Sequence, residues 1–349
     1  MPTATNGAPS PPPPPPLPAA RSTAVRVPWV DVAKGASIAL VTLLHSTNFM
    51  VVRGFADGRW HEVNAVLEPI RMPLFFLTAG LFATSTPALP WSTVLRRRLL
   101  PLIYLYLLWT ALRFAFFTAF PATSGTAETS SPWNLLTALI VPHNGLWFLY
   151  ALIVFTAITR LARRIAPPVQ LLAATVLAVS ASRIEILSWA WDNIVSLLMF
   201  FLLGIHLPTV IHLLAAASTA ARAALAAAGF AAVYLLHQHT DLGVTPAAGL
   251  ALSVVGLTAG ILVCAYIQRW PILEPVRILG TRTLPVYLLH EIALGILVVG
   301  ATHLGADLGD RHRLLIGPLL VTAAAIGGSL LTYRLLTRLR QGWLFRLPA

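Results

Sequence analysis

The sequence predicts an all-α protein, a polytopic membrane helix bundle of about ten transmembrane helices with both termini cytoplasmic. Three observations predict it. The composition is 57% hydrophobic and only 10% charged, against roughly 25% charged residues in a soluble domain, and the mean hydropathy is +0.77. The apolar runs number about ten, each close to the roughly 20 residues that cross a bilayer. The 24 Lys and Arg residues also alternate in density from loop to loop: 17 fall on one side of the helices set out below and 5 on the other, with Arg71 and Arg113 inside or near helices. By the positive-inside rule the rich side is cytoplasmic. The formal charge of +12 therefore reflects topology and calls for no nucleic-acid partner. Cys264 is the single cysteine. It excludes an internal disulfide, fits no metal-binding spacing and reads as a small buried apolar residue.

Taken in order, residues 1–24 contain PSPPPPPPLPAA and no apolar signal core. They predict a disordered Pro-rich cytoplasmic tail rather than a cleavable signal peptide. Residues 25–340 form the transmembrane domain and 341–349 a short cytoplasmic tail. Helices are expected near 30–52, 70–86, 100–120, 144–161, 168–182, 193–208, 221–237, 247–267, 284–303 and 314–336. The first is long and apolar. The second opens at Glu68-Pro69 and runs into MPLFFLTAG, where Pro73 and Gly80 allow a bend or close packing. The third follows Arg96-Arg97-Arg98 and the fourth opens with HNGLWFLY. Asp192 and Asn193 start the sixth as an N-terminal cap. Segments 212–233 and 247–262 are rich in Ala, Leu and Gly and read as packing helices. Little chain is left for a large soluble catalytic domain.

The first span, VDVAKGASIALVTLLHSTNFMVV, carries Asp31, Lys34, His45 and Asn48. Eleven residues separate Lys34 from His45, three turns plus roughly 20°, so both fall on one helix face. Thr42 and Asn48 extend that stripe. At about 1.5 Å per residue His45 lies roughly 16 Å beyond Lys34. A Lys at the cytoplasmic edge therefore puts His45 near the middle of a core about 30 Å thick. A polar stripe of this kind is costly in a bilayer and marks a functional site. The expectation is that Lys34 and His45 serve one cavity; side chains facing lipid, or different cavities, would remove the foundation of that reading.

Other polar groups fall near it. Glu68 and Arg71 form an i,i+3 pair at the outer interface, either binding a polar substrate from outside or making a snorkelling ion pair. Arg96, Arg97 and Arg98 suit phosphate groups, or serve as a topology anchor on anionic lipid. Arg113 lies deep in the third helix and needs a partner the sequence does not name. Trp147 and Tyr150 read as interfacial belt residues, and His143 and Asn144 line an outer pocket or face water. Tyr287 and His290 share one face of the ninth helix, with Glu291 pointing elsewhere. No GxSxG, P-loop, HExxH or paired Cys is present. A His acting as general base needs none of these, only reach to the proton and a suitable pKa. Asp31, roughly 20 Å from His45 along the helix, cannot orient it, so an orienting group must come from another helix.

On these residues the sequence resembles the acyltransferase-3 family of integral-membrane O-acyltransferases. VDVAKGASIALVTLLH fits that family's pattern of a basic residue, ten residues and a His, at Lys34 and His45. MPLFFLTAG (72–80), Arg96–Pro101, GLWFLYAL (145–152), FFLLG (200–204) and LPVYLLH (284–290) support it in order and spacing. The resemblance implies a transferase of the O-acetyl type in the plasma membrane. It would move an acyl group, by default acetyl, from acyl-CoA to a hydroxyl, often of a sugar or another envelope acceptor. It implies His45 as the catalytic His with Lys34 as its basic partner, and an Arg-x-x-Arg pair where this chain has consecutive arginines. Acyl-CoA is expected to contact Lys34, Arg96, Arg97, Arg98, Tyr287 and His290, and the acceptor Asn48, Glu68, Arg71 and Trp147. Neither a resident cofactor nor a metal is expected. The hydrolase-like extracytoplasmic domain of some members is not seen, so transfer is expected to finish in the membrane domain or with a separate protein. The rival reading is a transporter of a sugar, lipid or metabolite, which the lack of an inverted repeat or paired broken helices disfavours.

Overall fold

The computed structural model describes residues 27–348 except 124–130, 143, 182–187, 241–244 and 304–310. The Pro-rich stretch 1–24, His143 and Arg183 lie outside the described residues. Those described fold as helices without strands, as a chain must when lipid offers its backbone no hydrogen bonds.

Helix α1 (Pro28–Val52) is the hub. It packs against α2 (Arg59–Leu81), α11 (Pro246–Ile267), α12 (Glu274–Gly280), α13 (Thr283–His303) and α14 (Arg311–Arg338). Glycines make the tightest of these contacts. A Cβ on Gly35 would strike the Val276 carbonyl, and one on Gly280 the backbone of Asp31. The two helices touch backbone to backbone, and any larger residue would force them apart. More than half of the apolar stretch of α1 (56%) is buried, against 11% for α10 (Ala220–His239). Thus α1 is interior, and α10 leaves Leu225 and Leu235 for lipid.

Each expected span has a helix. Among the described residues seven helices are long and apolar enough to cross a bilayer, including α1, α8 (Trp189–His206) and α13. α6 (Trp147–Leu161) and α7 (Pro167–Ala181) are shorter, at 15 residues each. α2 differs most from expectation. It starts at Arg59, not near 70, and holds Pro69 and Pro73 inside. Pro69 resembled a helix start, but a bundle can re-satisfy the backbone groups that proline frees. Glu68 and Arg71 therefore sit in mid-helix rather than at its outer end.

A short helix, α3 (Trp91–Val94), continues through a π-turn at Leu95–Leu99 into α4 (Leu100–Ala119). α5 is the single turn Trp133–Thr137 and α9 the short Pro208–Ala216. The N-cap of α8 is Ser188, so Asn193 lies inside the helix and does not cap it. Within 341–349 the chain turns back onto α4. The Trp109 indole donates to the Leu344 carbonyl (2.6 Å) and Phe345 is buried against Trp109 and Tyr333.

Candidate active site

Four charged or titratable side chains from three helices meet inside the bundle. α13 supplies His290 and Glu291, α4 supplies Arg113, and α1 supplies His45. Arg113 Nη2 donates to Glu291 Oε2 at 2.8 Å, with both side chains fully buried. The other oxygen, Glu291 Oε1, lies 3.7 Å from His45 Nε2 and 3.9 Å from His290 Nε2. The two imidazole centroids are 5.1 Å apart. The carboxylate is thus clamped on one side by a guanidinium and presented on the other to His45, whose side chain keeps 25% of its exposure. A buried charge persists only when paired and hydrogen-bonded, and here Arg113 fixes where Glu291 points.

The neighbours enforce that aim. A Cβ on Gly145 would overlap the Glu291 carboxylate, so a glycine is required where the α6 approach passes this group. The Tyr287 hydroxyl donates to the Gly145 carbonyl at 3.0 Å and holds the loop down. His290 Nδ1 faces the carbonyls of Val286 (3.0 Å) and Tyr287 (2.8 Å). Carbonyls only accept, so the ring carries a proton on Nδ1.

Glu291 corrects the expectation that it points elsewhere, and it is the partner Arg113 required. Its side chain is long enough to reach from α13 between α1 and α4. The donor atoms of His45, His290 and Glu291 lie within 4.8 Å of one another. A metal could draw on them, but the Arg113 guanidinium already supplies the positive charge such an ion would bring, and a second cation here would be opposed.

Two cavities flank this cluster. The larger, about 320 Å³, is lined by His45, Asn48, His61, Asn64, Glu68 and Arg71, with Trp147, Trp189 and Asn193. The smaller, about 170 Å³, is lined by Lys34, Thr78, Phe82, Leu102 and Leu284 among others. Phe75, Phe148 and Tyr287 line both. The Phe75 and Phe148 rings stack with centroids 4.4 Å apart, and Tyr287 meets Phe148 edge-on at 5.6 Å.

Lys34 and His45 therefore open on different cavities. The single-cavity expectation is corrected, and the enzyme reading can no longer rest on the shared face and spacing of these two residues. The helical stripe is real, but three aromatic rings from α2, α6 and α13 fill the space beside its middle. What the structure offers instead is two chambers with one aromatic wall between them.

The acceptor candidates Asn48, Glu68, Arg71 and Trp147 all line the larger cavity with His45. The expected Glu68–Arg71 ion pair is not formed; Arg71 Nη1 instead lies 3.5 Å from Asn64 Oδ1. Of the donor candidates, Lys34 sits 4.9 Å over the Phe82 ring. Arg98 donates to the Phe82 carbonyl (3.1 Å) and Ser85 Oγ (3.2 Å), close to the same rim. Arg96 and Arg97 are exposed. Tyr287 lies in the shared wall. His290 lines neither cavity and stands behind His45, because its ring turns into the helix to reach two carbonyls. Sequence reasoning passed over His61, Asn64, Trp189 and Gly145, and took Asn193 for a cap. Arg113 and Glu291 were signalled only as opposite charges inside apolar helices.

The profile of the acyltransferase-3 family, described as an acyltransferase domain, matches residues 27–336. The chain belongs to that family. It is also similar to the Inner membrane protein YcfT of Escherichia coli (strain K12), 25% identical over 196 residues. That match covers 50% of this chain and 55% of the relative, so the chain spans about half the length of the curated relative it matches. No solved structure matches it. The resemblance read from Lys34, His45 and the later motifs thus agrees with a family match over nearly the whole described chain, in a multi-pass membrane protein.

Proposed function

We propose that the protein is a plasma-membrane O-acyltransferase that moves an acyl group, acetyl by default, from acyl-CoA to a hydroxyl of a sugar or other envelope acceptor. The observation that carries this reading is the buried Arg113–Glu291 pair aimed at His45 on the wall of the larger cavity. A family assignment gives the reaction class, and this arrangement is what a general base on a hydroxyl requires.

In this reading the acyl-CoA headgroup rests at the cytoplasmic rim near Lys34 and Arg98, with Arg96 and Arg97 adding positive field outside. The pantetheine arm enters the smaller, mostly apolar cavity and brings the thioester to the wall of Phe75, Phe148 and Tyr287. The acceptor occupies the larger cavity, with its hydroxyl at His45. His45 takes the hydroxyl proton as the oxygen bonds to the thioester carbonyl carbon. The tetrahedral intermediate collapses, the carbon–sulfur bond breaks, and the proton leaves with the CoA thiol. Glu291 does not take the proton; its charge stabilises the imidazolium formed in the first step. The wall must open during turnover so that carbonyl and hydroxyl meet, and small aromatic rotations suffice for an acetyl group.

The test is His45→Gln in protein reconstituted into nanodiscs, with radiolabelled acetyl-CoA as donor and the acceptor identified by mass spectrometry of envelope glycans and secreted products. The variant should insert and bind acetyl-CoA but lose about 10²–10⁴-fold in rate, the size of a general-base contribution. A wild-type rate rejects the base assignment. Failure of the native protein to bind acetyl-CoA rejects the acyltransferase reading in favour of transport.

A further inference from the structure

Three arginines are buried among the described residues, and their surroundings differ. Arg160, at the end of α6, lies over the Trp91 ring at 5.5 Å. Arg113 is ion-paired with Glu291. Arg71, 3% exposed, has no ion-pair partner among the described residues. Its Nε has no hydrogen-bond partner, and its nearest polar contact is Asn64 Oδ1, 3.5 Å from Nη1. Glu68 lines the same cavity, but it is exposed and out of ion-pair reach. Asn64 is itself fixed: its Nδ2 donates to Thr47 Oγ1 (3.1 Å) and the Trp60 carbonyl (2.9 Å). This leaves Oδ1 turned toward Arg71 as part of a built support. Glu68 attracts Arg71 across the cavity but is solvent-exposed and beyond ion-pair distance, so the desolvation cost of the guanidinium is only partly offset, and an anion bound beside it would offset the rest.

We infer that the acceptor carries an oxyanion, a carboxylate or a phosphate, and that Arg71 binds it in the larger cavity. The inference rests on the reading that this cavity takes the acceptor. The guanidinium fork matches either oxyanion with two parallel hydrogen bonds. The rest of the lining suits a sugar. Trp147 and Trp189 meet edge to face at 5.6 Å and offer apolar faces, while Asn48, Asn193 and His61 offer hydrogen bonds to hydroxyls. Arg71 thus holds one end of the acceptor and so selects which hydroxyl reaches His45.

The test measures thermal unfolding of the intact protein in phosphatidylcholine nanodiscs, titrated at matched ionic strength with glucuronate, glucose 1-phosphate or glucose. A ligand of the native state raises the midpoint in proportion to its occupancy. At least one anion should half-saturate at roughly ten- to a hundredfold lower concentration than glucose, the range of a charge-assisted hydrogen bond to a buried partner. Which anion responds distinguishes carboxylate from phosphate. A response to both that is suppressed in phosphatidylglycerol nanodiscs assigns the oxyanion to a lipid headgroup. Arg71→Gln should abolish the preference, and Arg222→Gln, at an exposed arginine that lines neither cavity, should keep it. Arg71→Lys, which retains the charge and supports folding should the Gln variant unfold, should weaken anion binding several-fold by losing the fork. Equal responses to anion and glucose, no saturable anion response, or a preference that survives at full strength in the Arg71 variants overturns the inference. Acyl transfer to a neutral acceptor alone would overturn it while leaving the acyltransferase reading intact. Arg71-dependent anion binding without any acyl transfer would do the reverse.

Discussion

Replacing Glu291 by Gln keeps the size of the side chain and removes its charge from between Arg113 and His45. At the observed 3.7 Å, Coulomb's law with an effective dielectric constant of about 20 gives about 4.5 kcal/mol between carboxylate and imidazolium. Arg113, bonded to the other oxygen at 2.8 Å, offsets part of this. If half survives, about 2 kcal/mol of transition-state stabilisation is lost, or about 30-fold in kcat; the full interaction would give about 2,000-fold. KM for acyl-CoA should not change, because Glu291 lines neither cavity. The same substitution removes the carboxylate from a buried cation, which costs about 3–5 kcal/mol of stability. Stability and chemistry are separated by the double variant Glu291→Gln with Arg113→Met, which removes both charges. It should recover most of the unfolding midpoint and none of the kcat. The measurements are initial rates with labelled acetyl-CoA and thermal unfolding of the same nanodisc samples. A folded Glu291→Gln protein with wild-type kcat, or a double variant that regains activity with stability, would refute the role given to this carboxylate.

Lys34→Gln should raise KM for acyl-CoA about fivefold to tenfold with kcat nearly unchanged, as expected when binding energy common to ground and transition states is lost; a fall in kcat at constant KM would contradict the donor-side assignment. Gly145→Ala should lower kcat at least tenfold while the protein stays inserted, because the new methyl displaces the Glu291 carboxylate; a wild-type rate would mean the carboxylate position is irrelevant. Phe75→Ala opens the wall between the cavities and should let propionyl- and butyryl-CoA compete with acetyl-CoA, measured as ratios of kcat/KM; unchanged ratios would show that the wall sets no acyl length. Gly280→Leu should prevent assembly of α1 with α12, visible as loss of a monodisperse detergent-solubilised peak, because its Cβ would meet the Asp31 backbone.

The bundle was legible because lipid imposes simple rules: each apolar run of sufficient length became a helix, and the clustered arginines separated the runs. The site was legible where it follows local periodicity. His45 and Asn48 share a cavity, and Glu68, Arg71 and Trp147 join it. Three features were hidden, each for a physical reason. The start of α2 was misplaced because proline breaks helices in water but is tolerated inside a bundle. The partner of Arg113 was hidden because Glu291 follows it by 178 positions, and no helical periodicity links two separate helices. The division between Lys34 and His45 was hidden because angle and rise along α1 fix where side chains start. Rings from other helices decide which space they enter.

That division changes what the eleven-residue spacing means. One continuous helix carries both groups, so Lys34 and His45 are held at a fixed separation of roughly 16 Å by helix rise. A hub packed on five other helices has little freedom to flex. In the proposed reading, Lys34 as donor anchor and His45 as base need not move relative to each other, which leaves the wall of Phe75, Phe148 and Tyr287 as the element that must move. Tyr287 is the least mobile of the three, because its hydroxyl donates to Gly145 and accepts from the Leu149 amide at 3.4 Å. Phe75 and Phe148 are buried in the core and held by apolar packing: they stack on each other, and Phe148 also meets Phe76 at 4.6 Å and Tyr287 at 5.6 Å, the stack being worth roughly 1 kcal/mol beyond the area they bury. In the proposed reading, parting that stack joins the chambers beside the Gly145–Glu291 contact that aims the carboxylate. With acyl-CoA and acceptor placed as proposed, the closed rings would keep the thioester away from water in the larger cavity, and a wall opened by the acceptor would favour transfer over hydrolysis.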